Sequence, residues 1–157
     1  MCEYCGCQSL TSIDQLTREH DTVVALISRV RTARRSGDTA AAAALARRIA
    51  AVLGPHTRVE EEGLFPALAD DFPVQIAALT EEHRQIEAVL GEAEGGVPAD
   101  PAWPDKLLAA LADLREHILK EQDGVFPAAL ASLTTDQWED VEAVRARAGS
   151  ALSGPAA

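Results

Sequence analysis

The sequence predicts an all-α fold: a four-helix bundle built from two repeated helical hairpins, with a short extra C-terminal helix. Three observations predict it. Ala, Leu, Glu and Arg dominate the composition, and each favours helix. No stretch alternates apolar and polar residues for long enough to form a strand. Two segments also recur in register: Leu16-Thr17-Arg18-Glu19-His20 returns as Leu79-Thr80-Glu81-Glu82-His83, and the twelve residues from His56 to Ala67 return as those from His117 to Ala128. At 157 residues, 47% of them apolar, the chain fits one domain with a sizeable core.

Residues 1–10 differ in composition and carry the three cysteines, so they read as a tail. The first helix is expected to start near Ser12, where Gln15 completes a capping box, and to end at Arg35 before Ser36-Gly37-Asp38. A second runs from Thr39 to about Leu64, with a kink at Gly54-Pro55. Pro73 suits the first turn of a third, ending near Glu94 and followed by a loop, Gly95 to Pro101. The fourth spans about Pro104 to Val125, with Pro66 and Pro127 read as terminators of the second and fourth helices. A short fifth, Thr135 to about Ala148, opens with Thr134 and Gln137 at capping-box spacing and is expected outside the bundle. The bundle thus covers residues 11–150, and residues 151–157 are expected to fray.

The net charge of −11 argues against nucleic acid and against anionic membranes, which need clustered Lys and Arg. Arg29, Arg31, Arg34, Arg35, Arg47 and Arg48 read as the solvated end of a hairpin. No apolar run is long enough to span a bilayer. No charged segment followed by an apolar one opens the chain, so a cytoplasmic location is expected.

All four histidines lie on the repeat. Each half places one His on its first helix (His20, His83) and His-x-x-x-Glu on its second (His56 with Glu60, His117 with Glu121). The i, i+4 spacing puts each His and Glu on one helical face, beside Leu53, Leu64, Leu111, Leu114 and Ile118. Imidazoles and carboxylates that point into a core need partners. Two divalent cations satisfy such a cluster, with the imidazoles as terminal ligands and Glu60 and Glu121 as bridges.

With His20, His56-x-x-x-Glu60, His83, His117-x-x-x-Glu121 and the two Phe-Pro dipeptides, residues 12–130 resemble the hemerythrin family, specifically the bacterial hemerythrin-like (HHE) domains. The resemblance implies an up-down-up-down bundle with two non-haem iron ions, bridged by Glu60, Glu121 and a solvent-derived oxygen. Members that carry oxygen reversibly have a fifth histidine four residues after the one matching His83; here that position is Glu87. Glu87 is the seventh candidate ligand, a harder anionic donor that favours the ferric state. Its counterpart in the first half is Val24, so the ion at His20 and His56 should have the open side.

Other details follow from the repeat. Gly63 and Gly124 either leave room for a pocket or ease a helix end, and Phe65 and Phe126 read as packing residues. Glu19 and Glu82, each preceding a candidate ligand His, read as solvated side chains about 100° off the ligand direction, with hydrogen-bond acceptors behind the histidines as the alternative. The Glu-x-x-His pairs of ferritin-like bundles are absent, since Thr17, Leu53, Thr80 and Leu114 stand three residues before the histidines. The single tyrosine, Tyr4, lies in the tail.

Cys2, Cys5 and Cys7 form C-x-x-C-x-C, which leaves open a further metal, one disulfide, an electron relay or unremarkable thiols. Iron–sulfur repair proteins that join a cysteine segment to an HHE bundle are loosely similar. The expected partner is a small oxidant or gas, O2, peroxide or NO. The chain is read as a binding or sensing protein; the alternatives are a redox enzyme removing peroxide or NO with an electron donor, or iron handling and iron–sulfur repair. Oligomeric state is left open.

Overall fold

The computed structural model describes residues 7–152. Among the described residues five helices make up the fold: α1 (Cys7–Arg35), α2 (Thr39–Arg58, continuing through a wider turn Val59–Leu64 into Phe65–Leu68), α3 (Pro73–Gly91), α4 (Trp103–Lys120, continuing through Glu121–Val125 into Phe126–Ser132) and α5 (Thr135–Ala148). Helices α1 to α4 form the bundle, and α5 packs chiefly against the wide turn of α2.

The hairpin between α1 and α2 turns on Gly37, whose φ of +69° is left-handed, and Asp38 caps α2 by accepting from the Ala41 amide at 3.0 Å. Small residues Ala42, Ala43 and Ala46 are buried along α2 and allow close approach to α1. Trp103 is fully buried at the start of α4 and donates its indole N–H to the Val89 carbonyl at 3.1 Å. The Thr134–Gln137 capping box of α5 is present in both directions.

Three sequence expectations need correction. Helix α1 already includes Cys7, the first described residue, so Ser12 is a buried residue inside it and caps nothing. Helix α2 passes through Pro55 without a break. Its irregularity comes one turn later, where the Phe65 amide bonds the Glu60 carbonyl, an i→i−5 (π-helical) step repeated by Phe126 and Glu121. The wider turns relieve the clash a proline ring makes with the carbonyl four residues back. Pro66 and Pro127 are therefore not terminators, and both helices continue, to Leu68 and Ser132. Helix α5 lies outside the four-helix bundle, as expected, and buries Trp138, Val141 and Val144 against it.

The apolar core falls into two clusters. One holds Val23, Leu53, Ile86 and Leu114 with their neighbours, the other Leu16, Val59, Leu79 and Phe126 with theirs. Along the helices the histidines lie between these residues, so a polar layer separates the two apolar ones. Both π turns begin at that layer.

Candidate metal centre

Each bundle helix delivers one imidazole to the polar layer: His20 from α1, His56 from α2, His83 from α3 and His117 from α4. Glu60 and Glu121 open the two π turns and are fully buried between them. Nε2 of His20 and of His117 lie 3.1 and 3.2 Å from Glu121 Oε1, and Nε2 of His56 and of His83 lie 3.3 and 3.4 Å from Glu60 Oε1. The donors fall into two overlapping groups, His20–His56–Glu60–Glu121 and Glu60–His83–His117–Glu121, with the donor atoms of each within 4.8 Å of one another. Both carboxylates belong to both groups, as bridging ligands would.

These contacts are close, yet several lack hydrogen-bond geometry. Both oxygens of Glu60, both of Glu121 and Nε2 of His117 are buried without a hydrogen-bond partner. Buried, unpartnered carboxylate oxygens are costly. Left to the protein alone, protons would have to compensate. Burial pushes His56 down, but the charges of Glu60 and Glu121 and the bond to Glu19 hold its pKa at about 10. Against the same burial penalty, Glu60, Glu121 and Glu61 raise His83 to about 9. Burial raises Glu60, yet His56 and His83 hold it well below the usual carboxylate range. Divalent cations fit this donor set: convergent, anionic and without alternative partners.

A second layer fixes the imidazoles. Since each Nε2 faces the carboxylates, Nδ1 is left to donate outward. His56 bonds Glu19 at 3.0 Å, His83 bonds Glu61 at 2.7 Å, His117 bonds Glu82 at 2.9 Å, and His20 bonds Gln122 at 3.0 Å. Phe65 stacks on His83 at 5.7 Å between ring centres and Phe126 on His20 at 5.5 Å. The two phenylalanines pack, as expected, and what they pack against is the candidate ligands. Glu19 and Glu82 take the acceptor role rather than the solvated one. Glu19 is buried and Glu82 half-buried, because each meets the histidine of the opposite helix of its hairpin rather than its own neighbour. Although burial raises Glu19, bonds from His56, Arg145 and Ser150 lower its pKa to about 2.

Glu61 and Gln122 were missed. The available signal was their place directly after Glu60 and Glu121 in both repeats. Glu87 lines the small cavity beside the donors but its side chain is exposed, and it belongs to neither donor group. Val24 is half-buried against an apolar cluster; the cavity is lined instead by Leu53, Thr57, Ile86 and Leu114. Neither glycine opens a pocket under the donors. A side chain at Gly63 would come within 3.1 Å of Val141 Cα, so Gly63 admits α5, whereas Gly124 has open space. Cys7 is half-buried at the start of α1; Cys2, Tyr4, Cys5 and the segment 153–157 lie outside the described residues.

A four-helix bundle with histidines and carboxylates facing inward defines a class of non-haem metal-binding helical bundles. Within that class the hemerythrin HHE cation-binding domain matches residues 11–129, and the chain belongs to this family. No curated protein and no solved structure matches the chain. No helix among the described residues is long and apolar enough to cross a membrane.

Proposed function

We propose that the protein holds two non-haem iron ions in its polar layer and uses them to bind a small oxidant or gas (O2, peroxide or NO) as a binding or sensing protein. One observation carries the reading: five buried donor atoms, on Glu60, Glu121 and His117, converge without hydrogen-bond partners. His20 and His56 would hold one ion, His83 and His117 the other, and Glu60 and Glu121, which belong to both donor groups, would serve both. Glu87, one turn beyond His83, would be the seventh donor, on the second ion, by turning its exposed side chain into the small cavity that it lines. Mixed nitrogen and oxygen donors in this number suit two octahedral ions better than one tetrahedral zinc. Two ferrous ions so held can supply two electrons to an oxidant.

The protein's own residues set what can approach. The cavity at the donors measures about 10 Å³ and is walled by Leu53, Ile86 and Leu114. The ions themselves would take this space, so only a very small molecule fits beside them, which supports a diatomic or triatomic ligand over an organic substrate. The Nδ1 bonds hold each imidazole with Nε2 inward, and the stacked phenylalanines limit ring rotation.

Anaerobic reduction of the iron-loaded protein, followed by mixing with each candidate under a visible spectrometer, tests the reading. A lasting new spectrum with one candidate is expected. Consumption of the oxidant with rapid return of the ferric spectrum marks the redox-enzyme alternative. Indifference to all three sinks the proposal.

A further inference from the structure

The two halves of the bundle are alike around the donors but differ outside them. In the first half, Glu19 is 1% exposed and its two oxygens take four bonds. Oε1 accepts from His56 Nδ1 at 3.0 Å and from an Arg145 guanidinium nitrogen at 2.8 Å. Oε2 accepts from the other terminal nitrogen of Arg145 at 2.9 Å and from the Ser150 hydroxyl at 2.6 Å. Arg145 is thus bidentate, the geometry that fixes a carboxylate's plane. Gly149, at a φ of +73°, ends α5 and turns the chain so that Ser150 reaches Glu19; the Leu152 amide then holds the Ser150 hydroxyl at 3.1 Å.

The counterpart in the second half is Glu82, which holds His117. It is 27% exposed, and its other oxygen is bonded only by Lys120, itself half in solvent. No helix covers it. At the position that α5 occupies over the first half lies an open apolar groove of about 460 Å³, lined by Leu68, Leu79, Glu82 and Gly124 among others. Glycine records the difference: Gly63 is closed upon by Val141, and Gly124 faces open space. Arg145 and Ser150 also lie beyond the family match, which ends at residue 129. The buried fork on Glu19 therefore comes from outside the matched segment.

We infer that Arg145 and Ser150 are positioning residues that act through Glu19 and His56, and that they make the ion bound at His20 and His56 the slowly exchanging one of the two. This rests on the two-iron reading above. A ligand leaves a metal by rotating or withdrawing, and His56 can do neither while Glu19 is held by a fork and a hydroxyl on a packed helix. His117 meets a carboxylate that can move into solvent with Lys120. The clamp also sits on the half where no carboxylate stands at the position of Glu87, since Val24 occupies it. The ion with fewer protein donors is the one whose imidazole is locked.

The test loads the full chain with ferrous iron under anaerobic conditions and follows release into an excess ferrous chelator. The parent should lose its ions in two phases, one per ion. Arg145→Met should speed the slow phase by up to roughly 10-fold, the lower end of the cost of losing a ligand's direct outer partner, because Arg145 acts one bond further out through Glu19, and leave the fast phase unchanged. Arg145→Lys should recover part of the effect. Ser150→Ala removes one bond from the clamp and should speed the same phase less, which keeps the test valid should Arg145→Met fold poorly. In a Glu19→Gln background, where the amide oxygen still accepts from His56, Arg145→Met should add little, because a positioning residue has nothing left to position. Single-phase release from the parent, equal acceleration of both phases, no change in either, or an undiminished Arg145→Met effect in the Glu19→Gln background overturns the inference alone. Failure of the parent to take up iron overturns the functional reading and this inference together.

Discussion

His20 Nδ1 lies 3.0 Å from the side-chain oxygen of Gln122, and His20 is the one histidine of the four whose outer partner is a neutral amide. The other three face the carboxylates Glu19, Glu61 and Glu82. A carboxylate at Nδ1 makes an imidazole a stronger donor to metal than an amide does. Gln122→Glu should therefore make the iron centre harder to reduce. A redox titration of the iron-loaded protein checks this, and an unchanged or raised midpoint potential contradicts it.

The bridging assignment is tested by metal content. Protein purified with iron should carry about two ions per chain, because the donors form two groups sharing Glu60 and Glu121. Replacing either glutamate by alanine should lose at least one ion. The double variant should be essentially iron-free, and full occupancy there ends the two-iron reading.

Metal uptake should expel protons. His56, at about 10, and His83, at about 9, are both charged in the metal-free protein at neutral pH. Ligation requires both neutral, so binding at pH 7.5 should release at least two protons per chain into weakly buffered solution, and affinity should rise up to about pH 10. The sign for stability is opposite. Both folded-state values exceed the ordinary 6.5, so their contribution is complete below pH 6.5 and is lost as pH rises through about 9 to 10. Metal-free protein should melt lower at pH 10 than at pH 7, and iron-loaded protein should show less of this loss.

The paired glycines should respond oppositely to the same substitution. Gly63→Ala places a methyl 3.1 Å from Val141 Cα, a backbone atom that cannot yield without moving α5. About 1–3 kcal/mol of destabilisation is expected, at roughly 2–4 °C in Tm per kcal/mol. Gly124→Ala meets open space and gains helix propensity, so its Tm should hold or rise. A Gly124→Ala protein that melts as low as Gly63→Ala would show that the π turns, rather than α5, require glycine.

Azide should separate the two ions. With Glu87 on the second ion, ferric protein should bind one azide per centre, at the ion of His20 and His56. Glu87→Ala should keep both irons and admit a second azide. Identical stoichiometry in parent and variant removes Glu87 from the ligand set. Leu53→Ala, which enlarges the cavity wall, should speed azide entry, whereas Val24→Phe should have little effect since Val24 does not line the cavity.

The sequence by itself determined the helical class, the two-hairpin repeat and the grouping of four histidines with Glu60 and Glu121. Those follow from relations inside one helix, where 3.6 residues per turn fixes which side chains share a face, and from a repeat that carries one face into the other half. The same rule misjudged Glu19 and Glu82. Each sits about 100° from its neighbouring histidine, but what meets Nδ1 of His56 or His117 depends on the rotation and spacing of the adjacent helix, which no period within one chain segment encodes. The π turns were equally hidden: Phe-Pro reads locally as a stop, and only bundle packing makes a widened turn better than an end. The course of α5 shows the limit most sharply. Its start was legible in Thr134 and Gln137, a contact three residues apart. Its use was not, because Arg145 and Glu19 are 126 residues apart and meet only once Val141 has closed over Gly63.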